Sequence, residues 1–317
     1  MISFRSFSKR YGRQSAVESL AIEVREGEAL ALLGPNGSGK TTSLKGAAGL
    51  IHPTAGEVLL GRPGRRASDP EARRVLSYLP QRVSFPEPLT GREVVEFYRA
   101  LRGAAAGRTD EALRFASLNG AGDRAVGTYS GGMVQRLGLA VAMIPDAPIL
   151  LLDEPTAALD PDGLSAFYAL VQRRTQEGKT ILFTSHQLGD ADRLADRFAV
   201  LVEGRLVALL SQKELAERLS DRGVMRLRLA ACPKDLLDRL RPIAPRVAWA
   251  GEELIVPGPT AVRPAVLDRV RAAGAEIRAL TVEEGRLDLL YRELVAQAGA
   301  ARAGAGSDGS RHAGGPP

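Results

Sequence analysis

The chain has 317 residues, 44% hydrophobic and 25% charged, which suits one large folded domain plus a smaller one. Its formal net charge of +6 is spread along the chain without a basic block, which reads as a solvated basic surface rather than a nucleic-acid footprint. A single cysteine, Cys232, excludes an intramolecular disulfide scaffold and a metal site built from clustered cysteines.

The first stretch, "MISFRSFSKRYG", has no apolar core of the kind a signal peptide needs, and no apolar run approaches the ~20 residues that span a bilayer. The expectation is a soluble, cytosolic protein whose membrane role comes through a partner.

Apolar runs then set the framework. "EALALLG" (28–34), "PILLLDE" (148–154) and "TILFTSH" (180–186) are short, apolar on both faces, and end in polar residues. Such strands belong in a parallel sheet covered on both sides, so residues 1–220 read as an α/β domain.

The first of these strands runs into "GPNGSGKTT" and then into helix-like "TSLKGAAGL". The stretch fits G-x-x-x-x-G-K-[ST], with Gly34, Pro35, Asn36, Gly37, Ser38, Gly39, Lys40, Thr41 and Thr42 as the candidate cradle. A triphosphate must be wrapped by consecutive backbone N–H groups, which glycine permits sterically and conformationally, and the helix N-terminus favours an anion. Lys40 then faces the outer phosphates and Thr41 ligates Mg²⁺. The bland alternative is a glycine-rich turn with a surface lysine; the strand before and helix after argue against it.

A helical stretch follows. "TGREVVEFYRALRG" (90–103) opens with Thr90 and Glu93 in capping-box spacing and repeats Val94, Phe97, Tyr98 and Leu101 at helical intervals. With 110–118 also helix-like, residues 82–145 read as a helical subdomain inserted into the sheet domain. "TYSGGMVQRLGLAVAM" (128–143) puts Ser130 and the Gly131–Gly132 pair at the start of a helix, with no carboxylate, histidine, cysteine or lysine in the stretch.

The strand at 148–154 delivers Asp153 and Glu154 together. Asp153 is placed to support Mg²⁺, and Glu154 to polarise an attacking water. A polar strand end would be the plain alternative, but adjacent carboxylates after four apolar residues, downstream of a phosphate loop, favour chemistry.

Residues 223–297 read as βαββαβ, a ferredoxin-like pattern: "VMRLRLA", "PKDLLDRLR", "RVAWA", "ELIVP", "VRPAVLDRVRAAG" and "EIRAL" in turn. The Gly/Ala/Pro-rich stretch 298–317 is expected to be disordered.

Taken in order, the motifs of residues 1–220 resemble those of ABC transporter ATP-binding subunits. The resemblance implies a P-loop ABC cassette that binds ATP and Mg²⁺. It implies that Tyr11 stacks on adenine and that Gln81 in "YLPQRV" contacts Mg²⁺ and signals to a membrane subunit. "YSGGM" is similar to the family's signature, "AALD" with Asp160 to its D-loop, and His186 in "TSHQ" to its switch histidine. Alone, Tyr11 would be a packing residue and His186 structural; their places in the series raise both. His52, His312 and Trp249 have no such context.

In that family the signature serine and glycines of one subunit cap the γ-phosphate on the other subunit's P-loop. The resemblance therefore implies a dimer, expected to be a homodimer, with catalytic Glu154 and His186 opposite Ser130, Gly131 and Gly132. Tyr129 stands where leucine is usual, Met133 where glutamine is, and Ala157–Ala158 open the D-loop. The implied partner is a separate polytopic permease at the cytoplasmic face of the membrane, met by a groove lined by "VSFPEPL" (83–89). The stretch from 77 to 101 is similar to copper-maturation (Nos) exporter ATPases and, more broadly, to ABC-2-type exporters.

Other classes fit less well. A translation-factor ABC ATPase carries two cassettes in one chain, and a chromosome-structuring one carries long heptad arms; neither is present. A P-loop kinase or GTPase lacks the signature. No nucleic-acid partner is expected.

Overall fold

"ALALL" and "ILLL" are buried at every position, which only the interior of a doubly covered sheet allows. The computed structural model describes residues 1–157, 159–185, 188–231, 233, 235–283 and 290–297. The first part of the chain runs β1 (Ile2–Tyr11), β2 (Gln14–Val24), β3 (Ala29–Leu33), α1 (Lys40–Ala47), β4 (Ala55–Leu60), β5 (Arg65–Arg66), α2 (Pro70–Arg73) and β6 (Leu76–Leu79). It continues with α3 (Gly91–Leu101), α4 (Arg108–Phe115), α5 (Gly131–Met143), β7 (Ile149–Leu152), α6 (Pro161–Gln176), β8 (Thr180–Ser185), α7 (Leu188–Leu194), β9 (Arg197–Val202) and β10 (Arg205–Ser211).

The main sheet has the order β10-β9-β3-β8-β7-β6, with β9, β3, β8, β7 and β6 parallel to one another. A second, antiparallel sheet, β2-β1-β4-β5, was not visible in the strand pattern. Its strands lack clean alternation because β1 shifts register repeatedly and Ser6 and Ser19 both sit at φ 49. A single core joins the two sheets to α1 through Phe7, Leu20, Leu30, Leu44, Leu60 and Leu182.

Helices α3, α4 and α5 lie between β6 and β7 in the chain and have their own core, including Val95, Leu113, Val126, Leu137 and Ile144. The Thr90–Glu93 capping box forms as the sequence suggests, with Glu93 accepting from Thr90 N at 2.8 Å.

The chain packs as two compact units, dividing after Leu209, inside β10. Helix α8 (Gln212–Ser220) goes with the second unit because Ser220 Oγ donates to Thr260 Oγ1 at 2.9 Å and accepts from Thr260 N at 3.1 Å. That unit continues with β11 (Val224–Leu229), α9 (Leu236–Leu240), β12 (Ala248–Ala250), β13 (Glu253–Pro257), α10 (Arg263–Ala272) and β14 (Ile277–Glu283). Its sheet runs β12-β13-β11-β14 with antiparallel neighbours, the split βαβ arrangement read from the sequence. Met225, Leu227, Leu236, Leu254 and Val266 fill its core. Cys232 and the stretch 298–317 lie outside the described residues.

Candidate active site

The parallel strands β6, β7, β8 and β3 all end on one edge of the sheet, the edge where open α/β sheets bind ligands. Between β3 and α1 the chain turns through Gly37 (φ 80) and Gly39 (φ 99), values that side chains with a Cβ rarely adopt. At Gly39 a Cβ would also strike the Ala16 carbonyl at 2.5 Å. Pro35, Asn36 and Gly37 are exposed at the tip of this loop, Ser38 is buried beneath it, and Thr41 and Thr42 are half-buried in the first turn of α1.

Lys40 is 6% exposed, and its ammonium donates to the carbonyls of Gly34 at 2.7 Å and Pro35 at 3.2 Å. Burial lowers its pKa, while Glu154 and Asp153 oppose the shift. A cation is thus held inside its own loop, beside two carboxylates.

Asp153 is fully buried at the end of β7. Its Oδ1 accepts from Thr184 Oγ1 at 2.7 Å and from Thr41 Oγ1 at 3.1 Å, whereas its Oδ2 is buried with no hydrogen-bond partner. Burial raises the Asp153 pKa, and the two hydroxyl bonds pull the other way. Glu154 sits at φ 47, a left-handed backbone that a non-glycine residue occupies at a cost. Its N–H donates to Thr184 Oγ1 at 2.8 Å, and its Oε2 accepts from Gln81 Nε2 at 2.9 Å. The structure therefore gathers Lys40, Thr41, Gln81, Asp153 and Glu154 in one place.

The remaining candidates are spread around this centre. Tyr11, at the end of β1, is 50% exposed, with the Lys9 ammonium 5.2 Å from its ring centroid. Ser130 caps α5 and accepts from Met133 N at 3.3 Å. A Cβ placed on Gly131 would meet nothing within 4 Å. Gly132 follows, half-buried in the first turn of α5. Asp160 caps α6 through Gly163 N at 2.8 Å and lies 3.5 Å from Arg136 Nη1 on α5. His186 lies outside the described residues.

Sequence reasoning missed Thr184. Its place depends on parallel register, which aligns Leu152 with Phe183 and so sets Asp153 beside Thr184. It also missed Thr156, Tyr168 and Asp190, which are joined by hydrogen bonds across separate segments.

The chain is similar to known proteins in both sequence and fold. The ABC transporter family profile matches residues 17–157. A Nod factor export ATP-binding protein of Burkholderia pseudomallei (strain 1710b) is 36% identical over 258 residues, 80% of this chain and 84% of that protein. The linearmycin resistance ATP-binding protein of Bacillus subtilis (strain 168) is 27% identical over 77% of this chain and 80% of its own length. A dimeric ATP-binding cassette solved in a post-hydrolysis state with ADP and Pi superposes with a TM-score of 0.62 at 27% identity, covering 67% of this chain and 99% of that one. The likeness to the Burkholderia protein runs through both units of the fold, and with it the chain belongs to the ABC transporter family as one of its ATP-binding, ATP-hydrolysing subunits.

Proposed function

We propose that this subunit works as a dimer, two Mg²⁺·ATP held between facing copies, and that closure and hydrolysis drive a separate export permease in the membrane. The observation that carries the reading is the tip of α5. Gly131 has no positive φ and its absent Cβ leaves open space, so neither the backbone nor the packing of its own chain requires glycine there. An exposed helix start with Ser130 and two bare positions suits the close approach of a phosphate from another molecule. In that role Ser130, Gly131 and Gly132 cap the γ-phosphate held by the partner's P-loop.

Mg²⁺ fits the donor set. The unpartnered buried Oδ2 of Asp153, beside the Thr41 hydroxyl and near Gln81, is an all-oxygen environment of the kind hard divalent cations take. Thr41, Gln81 and Asp153 would hold the ion, which supplies charge neutralisation of the outer phosphates. Glu154 orients and deprotonates the attacking water, His186 assists at the γ-phosphate, Tyr11 stacks on the adenine, and Asp160 links the two sites across the dimer.

The export class is supported by the two relatives, a Nod factor export and a linearmycin resistance ATP-binding protein, neither of which is named for copper maturation. No described helix is long and apolar enough to cross a membrane; in the proposed arrangement a separate polytopic permease spans it and this subunit sits on the cytoplasmic side. Exposed Phe97 and Leu101 on α3 beside the 83–89 stretch offer it an apolar contact. The test is Glu154→Gln with ATP and Mg²⁺: light scattering should report a stable dimer that disperses when nucleotide is removed. A monomer under those conditions overturns the sandwich, and recovery of ribosomes instead of a polytopic membrane protein from detergent extracts overturns the transport assignment.

A further inference from the structure

The backbone of Glu154 is held at φ 47, and a strained residue keeps such a conformation only where its surroundings over-determine it. One restraint is already described, the bond from Glu154 N to Thr184 Oγ1. A second lies on the other side of the turn. Thr156, two residues on and 5% exposed, donates from Oγ1 to Asp190 Oδ2 at 2.5 Å. Asp190, on α7 and 3% exposed, accepts at its other oxygen from Tyr168 OH on α6, also at 2.5 Å.

We infer that Asp190 is a positioning residue for Glu154, clasping through Thr156 the turn on which the Glu154 carboxylate is mounted. The clasp joins three elements, the turn after β7 and helices α6 and α7, at a single buried carboxylate. Both of its oxygens are occupied by hydroxyl donors, so its charge is satisfied only while the turn and both helices keep their places. The Arg193 guanidinium stacks over the Tyr168 ring at 5.4 Å and closes the far side. Burial, then Asp190 itself, push the Tyr168 phenol up to about 12, so it remains a donor throughout the physiological range. Among the described residues of the turn itself, Ala157 N donates to Glu154 O at 3.3 Å and Leu159 N to Thr156 O at 3.1 Å. The clasp adds to the bonds that Thr184 and Gln81 make directly to Glu154.

This inference rests on Glu154 acting on the attacking water, and the experiment separates the two. Steady-state ATPase is measured for the full chain carrying Thr156→Val, Thr156→Ser, Glu154→Gln, and Glu154→Gln combined with Thr156→Val, with melting curves for each. Thr156→Val should lower kcat about tenfold or more, since small misplacements of catalytic groups are costly, and leave KM for Mg²⁺·ATP nearly unchanged. Thr156→Ser, which keeps the hydroxyl, should restore kcat to within about twofold. In the Glu154→Gln background, Thr156→Val should cause no further loss, because the group being aimed is gone. An equal drop in both backgrounds, or a Thr156→Ser variant as slow as Thr156→Val, overturns the inference. If Glu154→Gln alone leaves turnover intact, the assignment of Glu154 fails instead.

Discussion

Thr184 Oγ1 stands 2.7 Å from Asp153 Oδ1 and accepts the N–H of Glu154 at 2.8 Å, so a fully buried hydroxyl fixes both acidic residues at the end of β7. Thr184→Val is close in shape but removes both bonds, leaving a buried N–H and a buried carboxylate oxygen short of partners. Each such loss costs about 1–3 kcal/mol, so chemical denaturation should show a clear drop in stability along with reduced kcat. Thr184→Ser should recover most of both.

Titration of Asp153 gives a second expectation. Its folded pKa is raised, chiefly by burial, so the folded chain holds the proton more tightly than the unfolded chain does. The stability contributed by this group is therefore present below the ordinary carboxylate pKa and is lost as pH rises through the raised folded value. The proposed Mg²⁺ site needs the ionised form. Affinity for Mg²⁺·ATP should accordingly increase as pH rises through that window, with proton release on binding. Calorimetry in two buffers of different ionisation enthalpy measures the released proton, and Asp153→Asn should abolish it.

Lys40 is held in the loop by two carbonyls while burial works against its charge. Lys40→Met keeps the stem and removes the desolvated charge, so the nucleotide-free melting temperature should stay level or rise. The thermal shift with ATP should vanish. In the parent protein, saturation at 100 times Kd stabilises by about 2.7 kcal/mol, which a melting series resolves.

Different layers of the molecule were legible to different degrees. Lys40, Asp153 and Glu154 could be read directly because a local motif carries its own geometry: a strand, a loop without side chains, and a helix start. The βαββαβ order was readable from strands such as β11 and β13, which alternate, as Met225, Leu227, Leu254 and Val256 show. The antiparallel sheet was not, because bulges at Ser6 and Ser19 break the two-residue period. Thr184, Thr156 and Asp190 look like ordinary polar residues in the sequence. Their roles come from register and helix docking, which no local spacing encodes.

A contrast between two glycines of α5 tests the composite site most directly. At Gly138 a Cβ would press on Val83 Cγ2 at 2.8 Å and Cγ1 at 2.9 Å, so Gly138→Ala overpacks the helix against its own subunit. That substitution should destabilise the fold by about 1–3 kcal/mol and affect turnover only through stability. At Gly131 the same added methyl meets nothing, and the backbone is unstrained for alanine. Gly131→Ala should leave the monomer at least as stable, since alanine is the better helix former by roughly 0.5–1 kcal/mol. Any loss in Gly131→Ala must then come from outside the chain, where the methyl would stand between α5 and an approaching phosphate. The expected result is a normal melting curve and nucleotide binding, with ATP-dependent dimerisation in the Glu154→Gln background weakened and turnover reduced. A bulkier Gly131→Val should deepen both losses; if instead it dimerises and turns over like the parent, the tip of α5 does not face the nucleotide of a second subunit.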